Sequence, residues 1–440
     1  KRQPYSMWLF SSPYSYERFR TFDGSGPGYS RWSAREQAVY SRTWQRITFS
    51  TAFYTDWNKN VHYETSGDTL QDYPIFPNYD YQPIIYPTRG AFQYIRWMDF
   101  NVGFNGRVNY AYDWGKLGKG NMLGGVEWNR YTLYDSEYLE GMNFKEIVRT
   151  WIEKRLYTGH EMNTDAFLQI KHNLHKNWIV NAGIRYDYKR RSNKRTLQAF
   201  SPRLSLIYLR NGLNIKASYS RAFVDAPYYY RNNETDTYSG GENLQAEYLS
   251  SYQVTCAYHH SPSHIDVECN LFYNRASHFL FTQPETRVYE NAGSLDMGGV
   301  EVVARYKADR LSLDGNLCFQ KVLNYTNFFV PGFSMNLVAN YFLLKKKVQS
   351  WSAHLKLNCS SHCYTQVSVL EDGLNGDATN YTVRLPGYAV FSFTTRYKYK
   401  RIEGSLGIEN LFNNRYECGG ATVPIRQKGR WISASILYNF

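Results

Sequence analysis

Hydrophobic and polar residues alternate along many short stretches of the chain. The clearest stretch is WIVNAGIRYDY at 178–188, where Trp178 and Ile184 share a parity opposite to that of Arg185 and Asp187. The same alternation recurs at 265–274, 402–409 and 432–440. A period of two residues is typical of a β-strand with one apolar face and one polar face. The chain is therefore predicted to be all-β.

The alternation predicts 17 strands in one continuous meander. They lie near 34–42, 44–58, 96–113, 119–135, 160–173, 176–190, 199–209, 212–224, 246–261, 263–280, 296–308, 310–325, 334–345, 348–360, 385–399, 401–412 and 429–440. A soluble sandwich would bury the apolar face, whereas an outer-membrane barrel would turn that face to lipid. Alternation by itself leaves both architectures open.

The connections between the strands separate the two architectures. Every second connection is tight, as at Lys400-Arg401 and at 210–212, while the intervening ones are long, as at 59–95, 136–159 and 225–245. Short turns therefore lie at one end of the sheet and long loops at the other. Outer-membrane barrels have this asymmetry. We predict a transmembrane antiparallel up-and-down β-barrel.

Composition agrees with such a barrel. No apolar run approaches the ~18 residues of a membrane helix, and the mean hydropathy of −0.57 resembles that of a soluble protein. Alternating strands hide their hydrophobicity from such averages. The 41 tyrosines cluster near predicted strand ends, as at 110–112, 128–131 and 397–399. These aromatics are expected to form membrane-interface girdles, unless they are ordinary strand residues.

Charge and motifs exclude several functions. The net charge of +13 is dispersed and forms no long basic run, so nucleic acid is not an expected partner. It either attracts an anionic ligand and lipopolysaccharide phosphates or is simply solvated. No GxSxG, HExxH or P-loop motif occurs, so an enzyme is not predicted. The six cysteines make no CxxC pair. Cys359 and Cys363 are expected to be a local disulfide or two thiols, and neither a metal nor a cofactor is predicted.

Several segments carry a family resemblance. They are FSPRLSL at 200–206, YSRAFVDAP at 219–227, GENLQAE at 241–247 and IENLFNNRY at 408–416. Together and in this order they resemble the barrel of a TonB-dependent outer-membrane receptor, over about 95–440. The tyrosine-rich style resembles Bacteroidota members. In the last motif, Asn410 and its neighbours are expected to satisfy loose backbone groups where a strand ends.

The resemblance implies a 22-stranded barrel filled by an N-terminal plug. About 17–18 strands can be placed here, and no plug domain or TonB box is present in the sequence. We therefore expect 1–440 to be the C-terminal barrel portion of a longer receptor, with 1–33 as an extracellular loop; the alternative is a complete smaller barrel without a plug. The last strand has an apolar stripe ending in Ile436, Tyr438 and Phe440. This stripe resembles an outer-membrane assembly signal, which would place the C-terminus in the periplasm and the long loops outside.

The implied function is active uptake. Extracellular loops would bind a scarce nutrient, such as an iron–siderophore complex or cobalamin, and the TonB energy-transducing complex would act through the plug. The alternatives are a passive porin, a structural barrel that scaffolds a surface lipoprotein, and a soluble β binding protein. Haem is disfavoured because no His lies between Phe223 and Leu244.

Two sets of residues are candidates for the site. Loop residues with aromatic faces or cationic tips are expected to bind substrate, unless they only pack the loops together. They are Tyr228, Tyr229, Tyr230, Arg231, Tyr79, Tyr81, Arg415 and Arg426. Charged residues on polar strand faces are expected to point into the lumen, towards a plug or towards one another. They are Arg185, Asp187, Arg203, Glu403 and Glu409.

Overall fold

The structure is a computed structural model. It describes residues 2–4, 28–67, 91–141, 147–148, 156–233, 241, 243–282, 288–291, 293–324, 330–370, 378–418 and 425–439.

The described chain is almost entirely β-strand, as its content of β-branched and aromatic residues favours. The strands are β1 (Arg2–Pro4), β2 (Gly28–Trp44), β3 (Ile47–Gly67), β4 (Ala91–Asp113), β5 (Lys119–Gly141), β6 (Ile147–Val148), β7 (Gly159–His175), β8 (Trp178–Arg190), β9 (Thr196–Arg210), β10 (Leu213–Val224), β11 (Glu247–His260), β12 (Ile265–Ser277), β13 (Leu280–Thr282), β14 (Tyr289–Asn291), β15 (Ser294–Lys307), β16 (Leu311–Val322), β17 (Phe333–Lys345), β18 (Gln349–Ser360), β19 (Cys363–Leu370), β20 (Ala378–Leu385), β21 (Tyr388–Tyr399), β22 (Ile402–Glu409), β23 (Glu417–Cys418), β24 (Ile425–Arg426) and β25 (Trp431–Tyr438).

Among the residues that the structure describes, helical structure is confined to the connections. A five-residue helix, α1 (Tyr228–Asn232), follows β10, and 3-10 turns occupy Gly115–Leu117 and Ser261–Ser263. Within the described ranges, no helix is long and apolar enough to cross a membrane.

One antiparallel sheet holds 19 of the strands. Two of them, β1 and β6, are only two or three residues long, which leaves 17 long strands. Each long strand pairs with the long strands that precede and follow it in sequence. This is the predicted up-and-down order, and all 17 predicted strands are present. Among the described residues, the outer strands β2 and β25 are not paired with each other.

The two faces of the sheet differ in exposure. On one face, Trp178 and Ile184 of β8 are 40% and 49% exposed. On the other, Glu127, Asp165 and Asp187 align across β5, β7 and β8, and the two aspartates are each 6% exposed. We call these the apolar face and the polar face. An exposed apolar face is the reverse of a soluble sandwich and is expected of a transmembrane barrel.

Several predicted strands are too short. β2 begins at Gly28, which pairs with Tyr63, so this strand starts before the predicted strand near 34–42. β3 likewise extends to Gly67 and β5 to Gly141, into segments predicted as loops. Antiparallel pairing satisfies backbone groups wherever the neighbouring strand is equally long, even where the alternation of side chains fades.

The long connections also contain hairpins of their own. β13 pairs with β14, β19 with β20, and β23 with β24, each as a separate two-stranded sheet. These hairpins lie at one end of the long strands, in the connections between β12 and β15, between β18 and β21, and between β22 and β25. That end, the long-loop end, is where the candidate site is built.

The aromatic girdle is confirmed only in part. Tyr110, Tyr397 and Tyr399 are 39%, 44% and 45% exposed, as girdle residues should be. Tyr112 is instead 4% exposed, because the Trp114 ring stacks on it at 4.2 Å. Tyr131 packs against Tyr228, with ring centroids 5.5 Å apart, and so belongs to the site described below.

The tight turn between β4 and β5 depends on Gly118. Its φ is +103°, and a Cβ there would lie 2.2 Å from the carbonyl oxygen of Asn173. We expect Gly118→Ala to lower the free energy of unfolding by at least about 1–3 kcal/mol, through backbone strain and the clash. Gly404→Ala is the matched control, since its Cβ would meet nothing within 4 Å. Thermal unfolding in detergent measures both, and equal melting temperatures would contradict the expectation.

Candidate functional site

The helix α1 lies across the polar face at the long-loop end. Pro227, with φ −53°, directly precedes α1, and the residue before the proline, Ala226, is fully buried. The helix turns Arg231 inward, where its side chain is 1% exposed. The connection after β10 is therefore folded back onto the sheet.

A buried charge cluster holds the helix in place. The guanidinium of Arg231 donates from Nη1 and Nη2 to the two carboxylate oxygens of Glu161, at 2.6 and 2.9 Å. Its Nε donates to the carbonyl oxygen of Ala226 at 2.9 Å. Such a bidentate pair is among the strongest polar contacts in proteins and is specific to arginine.

Three further charges complete this cluster. Lys189 Nζ lies 3.0 Å from Glu161 and 2.8 Å from Asp225, and Arg191 also contacts Asp225. Burial by itself would raise the pKa of Asp225, but Lys189, Arg191 and Arg231 outweigh it and hold the pKa below its ordinary value. Three cations therefore face two carboxylates. We call Glu161, Lys189, Arg191, Asp225 and Arg231 the Arg231 cluster.

The cluster also reaches a second loop segment. Arg191 Nη1 donates to the carbonyl oxygen of Leu244 at 2.6 Å, and Leu244 is 3% exposed. Both ends of the connection from β10 to β11 are thus held by Arg191, the residue that directly follows β8.

Tyrosine rings cover the cluster on its loop side. The Tyr228 hydroxyl donates to the carbonyl oxygen of Tyr157 at 2.6 Å, and burial raises the pKa of Tyr228 to about 12. The hydroxyl therefore stays protonated and remains a donor at neutral pH. Tyr230 stacks on Tyr289 at 4.2 Å, and Tyr229 lies 6.4 Å from the same ring. Tyr229, Tyr230 and Tyr289, all half-buried, form the tyrosine patch.

The charged residues predicted for the polar strand faces lie on the face opposite the apolar one. Arg185 contacts Glu127, Asp165 and Asp187 at 3.0, 2.7 and 2.7 Å. Glu403 pairs with Arg396 at 3.2 Å. Arg203 is exposed and opposite Gly183 in register, and Glu409 lines a cavity on this face.

That cavity measures about 610 Å³. One wall is the polar face of β17, β18, β21 and β22, and the other is the connection between β22 and β25. Amide and hydroxyl side chains and two lysines dominate the lining: Asn340, His354, Lys356, Asn358, Ser392, Thr394, Asn410, Tyr416, Gln427 and Lys428. Such a surface can hydrogen-bond an oxygen-rich ligand.

Asn410 joins the two sides of this connection. Its Nδ2 donates to the carbonyl oxygens of Asn414 and Lys428 at 2.8 and 3.1 Å, and its Oδ1 accepts from the Asn414 amide at 2.8 Å. Asn410 is 4% exposed and has φ +50°, a conformation that asparagine tolerates. The predicted role of the motif at 408–416 in satisfying backbone groups is confirmed.

The other predicted residues are dispersed. Arg415 and Arg426 are both exposed. Arg426 is opposite Glu417 in the register of β23 and β24. Ile436 and Tyr438 are 84% and 49% exposed on β25. Three predicted residues lie outside the described residues: Tyr79, Tyr81 and Phe440. Within the described part of the chain, no group of three or more His, Cys, Asp or Glu side chains can hold a metal ion.

The comparisons with known proteins identify the family. The family described as TonB dependent receptor-like, beta-barrel matches residues 4–411. The chain belongs to this family. TonB-dependent receptor barrels are outer-membrane proteins, and the exposed apolar face accordingly meets membrane lipid. Members are transport receptors and not enzymes. The Bacteroidota origin stays a prediction.

Solved structures show the same fold. The siderophore receptor PirA from Acinetobacter baumannii is 14% identical, with a TM-score of 0.65, and the match covers 94% of this chain and 63% of that one. The ferric yersiniabactin uptake receptor FyuA from Yersinia pestis is 14% identical, with a TM-score of 0.62 and coverage of 94% and 62%. The pyoverdine receptor FpvA from Pseudomonas aeruginosa, bound to pyoverdine, is 11% identical, with a TM-score of 0.65 and coverage of 94% and 62%.

The chain thus spans less than two thirds of the length of these receptors. No curated protein sequence matches it.

Proposed function

We propose that this chain is the barrel part of an active outer-membrane transporter, which binds a scarce nutrient at its long-loop end and imports it to the periplasm. The main observation that supports this proposal is that α1 folds inward, where the Arg231 cluster anchors it and the tyrosine patch borders it. A loop fixed over the polar face places recognition residues at the mouth of a barrel rather than on a free surface loop.

The chemistry of this mouth favours an anionic, oxygen-rich cargo. The Arg231 cluster carries one more cation than carboxylates. Tyr229 and Tyr230 present aromatic faces with hydroxyl tips, which suit ligands that carry both rings and oxygens. An iron–siderophore complex has these features and is our first candidate. Cobalamin is the second.

The orientation follows from the same proposal. The long-loop end faces the cell exterior, and the C-terminus lies in the periplasm after a stripe that serves as an assembly signal. Arg203, Glu403, Glu409 and the Arg185 group then line the lumen, where a plug coupled to the TonB complex would pack. Lipopolysaccharide phosphates would meet the basic loops.

Transport is tested with the full-length receptor in cells that lack their own copy. We expect growth on iron supplied only as a ferric hydroxamate siderophore, or growth dependent on cyanocobalamin, and loss of uptake when the proton-motive force is collapsed. Uptake that persists after this collapse would indicate a passive porin. Absence of uptake with every nutrient, beside a stable complex with a surface lipoprotein, would indicate a structural barrel.

The tyrosine patch is tested by substitution. We expect Tyr229→Ala and Tyr230→Ala each to weaken binding of the imported nutrient by about tenfold, because each removes an aromatic contact. Tyr341→Ala is the control, since Tyr341 is 46% exposed on β17 near the opposite end of the sheet. Binding to the purified receptor is measured by calorimetry. Unchanged affinity in both patch variants would mean that these rings only pack the loops together.

A further inference from the structure

Two cysteines from different loops, Cys363 and Cys418, are neighbours, and both are free thiols in the structure. Cys363 opens β19 and pairs with Leu385 of β20, so the two side chains share one face of this hairpin with Thr365. Leu385 is 2% exposed and Thr365 is 0% exposed. Since a free hairpin would expose both of its faces, another segment must cover this one.

One segment that packs beside this hairpin is the stretch that carries Cys418. The ring of Tyr416 packs on Tyr388 with centroids 4.3 Å apart, and Tyr388 lies three residues after Leu385. Cys418 lies two residues after Tyr416, and both Cys418 and Cys363 lie close enough to the Tyr388 phenol to interact with it electrostatically. Both thiols therefore lie beside one phenol. Burial raises the pKa of Cys363, and the neighbouring Cys418 raises it further, in agreement with their proximity.

We propose that Cys363 and Cys418 form a disulfide bond that ties the β19–β20 hairpin to the β23–β24 segment. The bond would join this hairpin to the connection between β22 and β25, which lines the cavity, so it would fix the position of that wall. It would close a covalent loop that runs from Cys363, just after β18, to Cys418 in the connection that Asn410 stabilises by hydrogen bonds.

The chemistry is a thiol–disulfide exchange with a disulfide-bearing oxidoreductase of the oxidising compartment outside the inner membrane. The thiolate of one cysteine attacks the oxidant's disulfide, forms a mixed disulfide and releases one oxidant thiol. The second thiolate attacks the mixed disulfide and releases the other. The receptor loses two protons and two electrons, and the oxidant becomes a dithiol.

The other cysteines are placed differently. Cys359 has the parity of Trp351 and Leu355, which are 45% and 41% exposed on the apolar face, so it faces away from Cys363. A local Cys359–Cys363 bond is therefore not favoured. Cys256 and Cys269 are opposite each other on β11 and β12, but on the apolar face, where lipid excludes a soluble oxidoreductase. We expect them to remain thiols.

Peptide mapping of the full-length receptor from native outer membranes tests the bond. Free thiols are blocked with N-ethylmaleimide during lysis, and the protein is then denatured and digested without reductant. We expect one linked peptide pair, carrying Cys363 and Cys418, that separates after reduction. Recovery of either cysteine mainly as the alkylated thiol, or linked to any other cysteine, would overturn the proposal.

Variants provide an independent measurement. In Cys418→Ser, Cys363 should become available to maleimide after denaturation, whereas Cys359→Ser should leave the linked pair intact. If Cys359→Ser abolishes the link instead, Cys363 pairs with Cys359 and the proposal fails.

Discussion

Arg231→Ala should release α1 from the polar face and cost about 3 kcal/mol in local stability, as expected when one partner of a buried ion pair is removed. The arginine is 1% exposed and Glu161 4% exposed, so water does not screen the pair. Without Arg231, Glu161 loses two short hydrogen bonds and keeps Lys189 at 3.0 Å. The carbonyl oxygen of Ala226 loses its donor as well.

Hydrogen exchange resolves this local effect. The Tyr230 amide donates to Pro227 and the Tyr157 amide to Asn232, so both amides report on α1. In the variant they should exchange faster, by about two orders of magnitude for a 3 kcal/mol loss, while amides of β15 to β18 stay unchanged. Ligand affinity should fall together with this protection, because the tyrosine patch is carried by the same helix.

Two controls separate the buried pair from charge in general. Arg305→Ala removes an exposed contact with Asp314 at 3.8 Å and should change exchange very little. Arg231→Lys keeps the charge but loses the bidentate geometry, and should show an intermediate effect. If Arg231→Ala and Arg305→Ala behaved alike, the cluster would not anchor the helix.

The strands could be predicted because the membrane imposes a simple rule on each of them. Every residue of a spanning strand faces either lipid or the polar side. The polarity of a side chain is therefore enough to predict its face, as for Trp178 and Ile184 on the apolar face and Arg185 and Asp187 on the polar face. Where a strand continues beyond the membrane, as from Asn58 to Gly67, that rule weakens. The ends of β3 and β5 depend on pairing with neighbours, which the local sequence does not encode.

The sequence predicts which connection carries the candidate site, but it does not predict the contacts within that site. The tyrosine run at 228–230 marks the connection that folds onto the polar face, since aromatic loop residues are unusual enough to notice. The sequence groups Arg231 with the substrate contacts, whereas the structure pairs its guanidinium with Glu161, so we propose that Arg231 positions α1. Glu161, Lys189 and Asp225 come from three segments that only the sheet brings together. Of these three residues, only Asp225 could be singled out from the sequence, because it belongs to the motif at 219–227.

Asn410 was the best-predicted single residue, and it carries the second large effect. Asn410→Ala should destabilise the connection between β22 and β25 by about 2–4 kcal/mol, because it removes three hydrogen bonds to the backbone groups of Asn414 and Lys428. It also places alanine at φ +50°, which alanine tolerates less well than asparagine. Thermal unfolding in detergent and exchange of the Asn414 amide measure the loss.

Two substitutions at the same position divide this effect into its parts. Asn410→Asp keeps the acceptor for the Asn414 amide but removes the donors to the carbonyl oxygens of Asn414 and Lys428. Asn410→Gly keeps the backbone conformation and removes every side-chain bond. If the hydrogen bonds dominate, glycine should be nearly as destabilising as alanine, with aspartate between them and the native protein. If glycine restores stability, backbone conformation and not the side-chain clamp holds this wall of the cavity.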